Sequence, residues 1–213
     1  MSIEANKIRL IMELRRQGIT DQRVLAAMER VPRERFVPPT FGAEAYENIP
    51  LPIAQGQTIS QPYIVAYMTQ ELQVTDRSVV LEVGTGSGYQ AAVLAQMCRR
   101  VYTIERYRSL KAAAELVFDE LGLHNITTRL GDGGKGWPEL APFERIIVTA
   151  AAAKVPEALT SQLSDGGMML IPVGDSFMQT LTRVTRHGDE LRYEQLLDVR
   201  FVPLVEGIAR SGD

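Results

Sequence analysis

The chain is poor in cysteine, histidine and tryptophan, with one Cys, two His and one Trp in 213 residues. A single Cys98 excludes an internal disulfide and any cysteine-based metal cluster, so no metal site is expected. His124 and His187 both fall in loop contexts, and neither accompanies a pattern that would activate a nucleophile. No run approaches the ~20 apolar residues that cross a bilayer. The opening residues, MSIEANKIRL, lack the apolar core of a signal peptide, and the cytoplasm is the expected compartment. Charge of one sign is scarce too: 23 Lys and Arg against 26 Asp and Glu leave a net charge of −3, without the basic patch of a nucleic-acid binder. Repeats and low-complexity segments are missing. What remains is an ordinary globular composition, 45% hydrophobic, on a chain long enough for one full core.

What is present is concentrated in VLEVGTGSGYQ, residues 80–90. It reads as a buried strand over 79–83, a turn carrying Gly84, Gly86 and Gly88, and an apolar helix running to about Arg99. Cys98, near the end of that helix, reads as a small core residue. A turn without side-chain bulk at the carboxyl end of a strand is where open α/β sheets bind ligands. The next apolar run, 101–104, ends in Glu105, about 20 residues past the first glycine, where an acidic side chain binds a ribose hydroxyl pair. The pattern predicts an adenosine-containing cofactor. Tyr89 occupies the place of the last small residue of the dinucleotide fingerprint, and Glu82 adds a carboxylate at the strand tip. A negative charge there disfavours a pyrophosphate and suits an ammonium or sulfonium group, both present in S-adenosylmethionine. Glu82, Gly84, Gly86 and Gly88 resemble motif I, E-x-G-x-G-x-G, of class I methyltransferases. The alternative is a glycine turn that only lets strand and helix pack.

Three zones follow along the chain without a clear linker. Residues 1–57 hold two helical patterns, one with Ile8, Ile11, Met12 and Leu14, the other with Val24, Leu25 and Met28 after the cap candidates Thr20 and Asp21; a proline-broken stretch comes next. Residues 58–175 alternate helices (61–72, 109–121) with strands (79–83, 127–130, 145–149, 168–173), the signature of a parallel sheet covered on both faces. Residues 176–213 offer a hairpin, 180–186 with 191–197 around His187-Gly188-Asp189-Glu190, and a last strand over 199–202 that stops at Pro203. The expected fold class is α/β: one domain over 1–213, a doubly wound, mostly parallel, Rossmann-like sheet with N-terminal helices and an antiparallel C-terminal hairpin.

Asp132 and Gly133 follow the third strand of that sheet. The carboxylate can accept from the adenine amino group and the adjacent amide can serve a ring nitrogen, although Gly131-Asp132-Gly133-Gly134 is turn-prone in any case. Thr149 and the alanines after it stand where methyltransferases of amine nitrogens carry an Asn/Asp-Pro-Pro-Tyr/Phe motif. A substrate already anionic has no need of that motif. Trp137 reads as a stack on adenine or as a core residue.

VPRERFVP (31–38), QTISQPYIVAYM (57–68), VLEVGTGSGYQAAVLA (80–95), HNITTRLGDGGKGWPELAPFERIIVTAAA (124–152) and VRFVPL (199–204) together resemble the protein-L-isoaspartate O-methyltransferase family. The resemblance covers nearly the whole chain, and QTISQPY is the family's own signature. It implies methyl transfer from S-adenosylmethionine to the free α-carboxyl of L-isoaspartyl residues in damaged proteins, with S-adenosylhomocysteine as product and a methyl ester that collapses to a succinimide. It also implies a monomer. Carried over by residue, Ser60 is the active-site serine, and Gln57 and Thr58 line the carboxylate pocket. Val202 and Leu204 belong to a closing C-terminal strand. Glu82, Gly84, Gly86, Glu105, Asp132 and Gly133 hold the cofactor. Ser60 reads as an orienting donor and not a nucleophile, because a carboxylate is ionised at neutral pH; capping of the helix that Pro62 begins is the alternative, and the resemblance favours the substrate role. Gly134 and Ala151 to Ala153 depart from the family pattern near the substrate rim. The same fold acting on another carboxylate, a non-catalytic S-adenosylmethionine-binding protein and a dehydrogenase are the remaining alternatives, and intact QTISQP weighs against the second.

Overall fold

In the computed structural model, which describes residues 2–209, the alternation read from the sequence becomes a seven-stranded sheet. Met1 and residues 210–213, the ends of the expected domain, lie outside the described residues. The chain begins with α1 (Ile3–Arg16) and α2 (Gln22–Arg30). Ser2 and Asp21 cap these helices, each accepting a main-chain N–H two or three residues on. Thr20 makes no cap. Leu10, Ile11 and Leu14 are the buried stripe of α1, whereas Ile8 and Met12 lie on its opposite side and are exposed.

After an irregular stretch, β1 (Leu51–Pro52) and β2 (Thr58–Ile59) form a small antiparallel pair. Then come α3 (Pro62–Glu71), β3 (Val79–Val83), α4 (Tyr89–Ala95), β4 (Arg100–Glu105), α5 (Arg108–Glu120), β5 (Ile126–Leu130) and β6 (Phe143–Val148). The chain closes with the short α6 (Glu157–Thr160), β7 (Leu163–Gly174), β8 (Gln179–His187) and β9 (Glu190–Val199). The strand order is β5-β4-β3-β6-β7-β8-β9; the first five are parallel and β8 runs antiparallel to both neighbours. From β3 the chain moves outward to β4 and β5, then returns to place β6 on the other side of β3. That reversal opens a crevice at the carboxyl ends of β3, β4 and β6.

Strand pleating sends alternate side chains to opposite faces. Val80, Val101 and Ile147 pack with the buried faces of α1 to α4, so the N-terminal helices share a core with the sheet. Leu81, Val83, Ile104, Ile146 and Val148 pack on the other face. Several element ends differ from expectation: the strand expected over 168–173 starts at Leu163, and that over 145–149 runs Phe143–Val148. The helix after the glycine turn stops at Ala95, not Arg99, and Cys98 lies buried beyond it. The hairpin turn narrows to Gly188 and Asp189, because His187 pairs with Glu190 as the last residue of β8. No separate strand forms over 199–202: Val199 ends β9, and Pro203, which has no N–H for a ladder, makes a single bridge with Ala151.

Candidate functional site

The crevice is a cleft of about 780 Å³. It is lined by the turn from Gly84 to Ser87, by Glu105 to Tyr107, by Thr149 and Ala150, and by two irregular segments, Gln57 to Ser60 and Val202 to Val205. Of the sequence-predicted site residues, Gln57, Thr58, Ser60, Gly84, Gly86, Glu105, Gly133, Val202 and Leu204 meet there. Glu82 and Asp132 do not.

The turn is braced from both sides. Gly84 has φ +98°, and a Cβ on it would lie 2.5 Å from Thr149 Oγ1. That hydroxyl lies 2.6 Å from the Gly84 carbonyl oxygen and donates to it, so the residue standing in place of the Asn/Asp-Pro-Pro motif latches the turn to β6. At Gly88, φ is +89° and a Cβ would come within 2.7 Å of the Phe118 ring, so only glycine lets α5 pack so close. Glu105 completes the brace. Its Oε2 accepts from the Gly86 amide at 2.8 Å, and Oε1 accepts from the amides of Arg106 (2.8 Å) and Tyr107 (2.9 Å). A carboxylate offers about four lone-pair positions. Oε2 therefore keeps one for a hydroxyl in the cleft.

Glu82 is fully buried on the face it shares with Val80, beneath the turn and out of the cleft. One oxygen accepts from Thr103 Oγ1 at 2.5 Å, and Thr103 Oγ1 lies 2.7 Å from Thr85 Oγ1, which belongs to a lining residue; the other oxygen has no partner. Burial pushes the Glu82 carboxyl up to about 8; the Thr103 bond opposes that rise and the Glu105 charge adds to it. The expected strand-tip charge is thus an interior group, and it reaches the cleft only through two threonines. Asp132 turns its Oδ1 back to the Gly134 amide at 3.0 Å and caps the 3-10 turn Gly133–Lys135. Gly133, beside it, faces the cleft. Trp137 stays out of the cleft, packed edge-on to Tyr102 with the Arg129 guanidinium over its ring.

Across the cleft, Ser60 does not cap α3. Gln61 occupies the N-cap position without a side-chain cap bond, and Asn48 from the preceding loop accepts the Tyr63 amide at 2.9 Å instead. Ser60 lines the cleft beside the exposed Thr58, and its hydroxyl has no hydrogen-bond partner among the described residues. The C-terminal segment is strapped over this side at three points. Gln179 exchanges two hydrogen bonds with the Phe201 main chain (2.6 and 3.1 Å). Ala151 exchanges two with Val202 and Leu204 (2.8 and 2.7 Å), and Arg106 takes the Ala209 amide on its carbonyl at 3.0 Å.

A family model described as protein-L-isoaspartate(D-aspartate) O-methyltransferase matches residues 5–209. The chain belongs to this family. It is 61% identical over 211 residues to the protein-L-isoaspartate O-methyltransferase of Parvibaculum lavamentivorans, covering 98% of this chain and 95% of that protein. With the enzyme of the same name from Rhodospirillum rubrum the identity is 58% over 211 residues, covering 98% and 96%. Among solved structures, a protein-L-isoaspartate O-methyltransferase superposes with a TM-score of 0.83 at 28% identity, over 92% of this chain and 65% of that one. The Plasmodium falciparum member, solved in complex with S-adenosyl-L-homocysteine, gives 0.82 at 27% identity over 92% and 97%. As a member, the chain is an S-adenosylmethionine-dependent O-methyltransferase of isoaspartyl residues, an enzyme of protein repair.

Sequence reasoning missed several residues that line the cleft. Thr85 and Gln90 line the cleft, and Arg106 and Tyr107 extend the wall begun by Glu105. Tyr107 follows the ribose-type acid by two positions, which was the available signal. No period or spacing marks Arg33, which holds the main chain of Ser60, or Asn48 and Gln179, which hold Tyr63 and Phe201 next to the lining segments.

Proposed function

We propose that the cleft has a cofactor half, from Gly84 to Tyr107 with Gly133, and a substrate half, made by Gln57, Thr58, Ser60, Val202 and Leu204. The free acceptor position on Glu105 Oε2 fits a ribose hydroxyl, and the bulk-free turn beside it fits a nucleoside lying on main chain. S-adenosylmethionine, when bound, supplies an electrophilic methyl on a sulfonium centre. The protein has no proton to remove from the acceptor, because a carboxylate with a pKa near ~4 is already an anion at neutral pH. Its task is to bind that anion, exclude water and hold one oxygen in line, and such positioning contributes roughly 7–11 kcal/mol in favourable cases. Ser60 does this as a hydrogen-bond donor. The observation that carries the reading is its unpartnered hydroxyl, on a residue that lines the same cleft as the glycine turn.

Asp132 supports the cofactor half through its turn, with one oxygen left over, and Glu82 acts on it through Thr103 and Thr85. We assign one methyltransferase domain to residues 1–213, since the N-terminal helices and the sheet share a core. We also assign a monomer working in the cytoplasm, where the lone buried thiol of Cys98 suits a reducing compartment. No helix among the described residues is long and apolar enough to cross a membrane. The test is methyl transfer from labelled S-adenosylmethionine to matched peptides carrying L-isoaspartate or aspartate. Transfer to the isoaspartyl peptide alone, slowed but still measurable in Ser60→Ala with S-adenosylhomocysteine binding intact, is the expected result. Transfer to both peptides, or cofactor binding that collapses with the serine, overturns the assignment of the substrate half.

A further inference from the structure

Arg33 is fully buried in the 3-10 turn Arg33–Phe36, a place where a charged side chain is ordinarily paired with an acid. Here its hydrogen bonds go to main-chain carbonyls. Nε donates to Ala45 at 2.8 Å, and Nη2 donates to Ser60 at 3.1 Å and Ile49 at 3.5 Å. The guanidinium lies 4.8 Å from the centre of the Tyr89 ring, and Nη1 has no partner. The neighbouring acid, Glu34, accepts from the Tyr46 hydroxyl instead. Carbonyls satisfy donors without neutralising a charge, and a buried charge is screened far less than one in water. Arg33 thus joins Ser60, in the substrate half, to Tyr89, the first helical residue after the glycine turn.

We propose that Arg33 is a positioning residue for the methyl-accepting carboxylate: it holds the Ser60 main chain at the cleft, and its unneutralised charge makes that end of the cleft favour an anion. This rests on the reading of Ser60 as a substrate contact. Arg33→Lys keeps the charge but loses the planar fork that reaches the carbonyls of Ala45 and Ser60 together. Its kcat/KM for an isoaspartyl peptide falls roughly tenfold, the order expected for one charge-assisted hydrogen bond. Arg33→Met, which also removes the charge, falls further, chiefly through KM. S-adenosylhomocysteine affinity stays within about twofold in both, because Arg33 meets the cofactor half only at the Tyr89 ring and makes no hydrogen bond to the glycine turn. In a Ser60→Ala background the Arg33→Lys loss shrinks to less than about threefold, since the two residues act on one contact.

Steady-state kinetics of the four proteins in that cycle and of Arg33→Met, with calorimetric titration of S-adenosylhomocysteine, read all of this. Equal losses in the two backgrounds, or an Arg33→Lys protein that does not fold or does not bind S-adenosylhomocysteine, make Arg33 a packing residue and overturn the proposal. Matching values for Lys and Met overturn the part played by charge. Wild-type protein inactive on the isoaspartyl peptide defeats the functional reading instead, and is told apart by that alone.

Discussion

The two halves of the cleft are built in different ways. The cofactor half is regular: three parallel strands end together, and a glycine turn is held by main-chain bonds, one threonine hydroxyl and one carboxylate. The substrate half has a two-residue strand, a proline-interrupted segment and a C-terminal strap, fastened by side chains from remote parts of the chain. The first half relies on shape that few substitutions can preserve. The second relies on several separable polar contacts. A reaction common to many enzymes needs a rigid cradle for the methyl donor, whereas a peptide substrate needs a surface that can admit a main chain.

If that contrast holds, substitutions should sort by half. Gly84→Ala is the largest: a Cβ 2.5 Å from Thr149 Oγ1 at φ +98° adds about 1–3 kcal/mol of strain and lowers S-adenosylhomocysteine affinity roughly 10–100-fold by calorimetry. Glu105→Gln comes next: its carbonyl oxygen can keep the Arg106 and Tyr107 amides, but its NH2 then faces the Gly86 N–H; cofactor affinity drops about tenfold while the circular dichroism spectrum is kept.

Glu82 tests whether the cradle carries stored strain. Its carboxyl lies near 8 in the folded protein against 4.5 when free, so the unfolded chain ionises first as pH rises. The native state then holds more protons than the unfolded one, and stability falls from about pH 4.5 to about 8. Glu82→Gln should flatten that part of the melting-temperature profile; an unchanged slope would place the titration elsewhere. The smallest effect belongs to the strap. Gln179→Ala removes two hydrogen bonds from the Phe201 main chain and raises KM for the peptide about fivefold, with kcat and cofactor binding near wild type.

The same contrast decides what could be read from sequence. Val79–Val83 emerges with the expected ends, because a short apolar run followed by glycines has a local cause. Glu105 was identifiable by distance from the first glycine, since strand, helix and strand lengths fix that spacing. Glu82 was assigned the right neighbourhood and the wrong side: strand alternation turned it inward, toward Thr103. Ser60 fits two roles in sequence, and Asn48, by satisfying the start of α3, removes only the cap. Arg33, Asn48 and Gln179 were illegible because what they hold lies 22 or 27 residues away or 15 in the chain, at sites no period or motif predicts.

The strap also has a bearing on time. Arg106 and Gly207 are joined across 101 positions of sequence, and contacts of such span form late, after the loop between them has been closed by other structure. Its anchors on β8, after β6 and at the end of β4 exist only once the sheet has assembled. The nucleoside cradle is complete in the sheet without the strap, whereas the peptide groove is not, so opening the strap alone would part the ability to bind the methyl donor from the ability to repair other proteins.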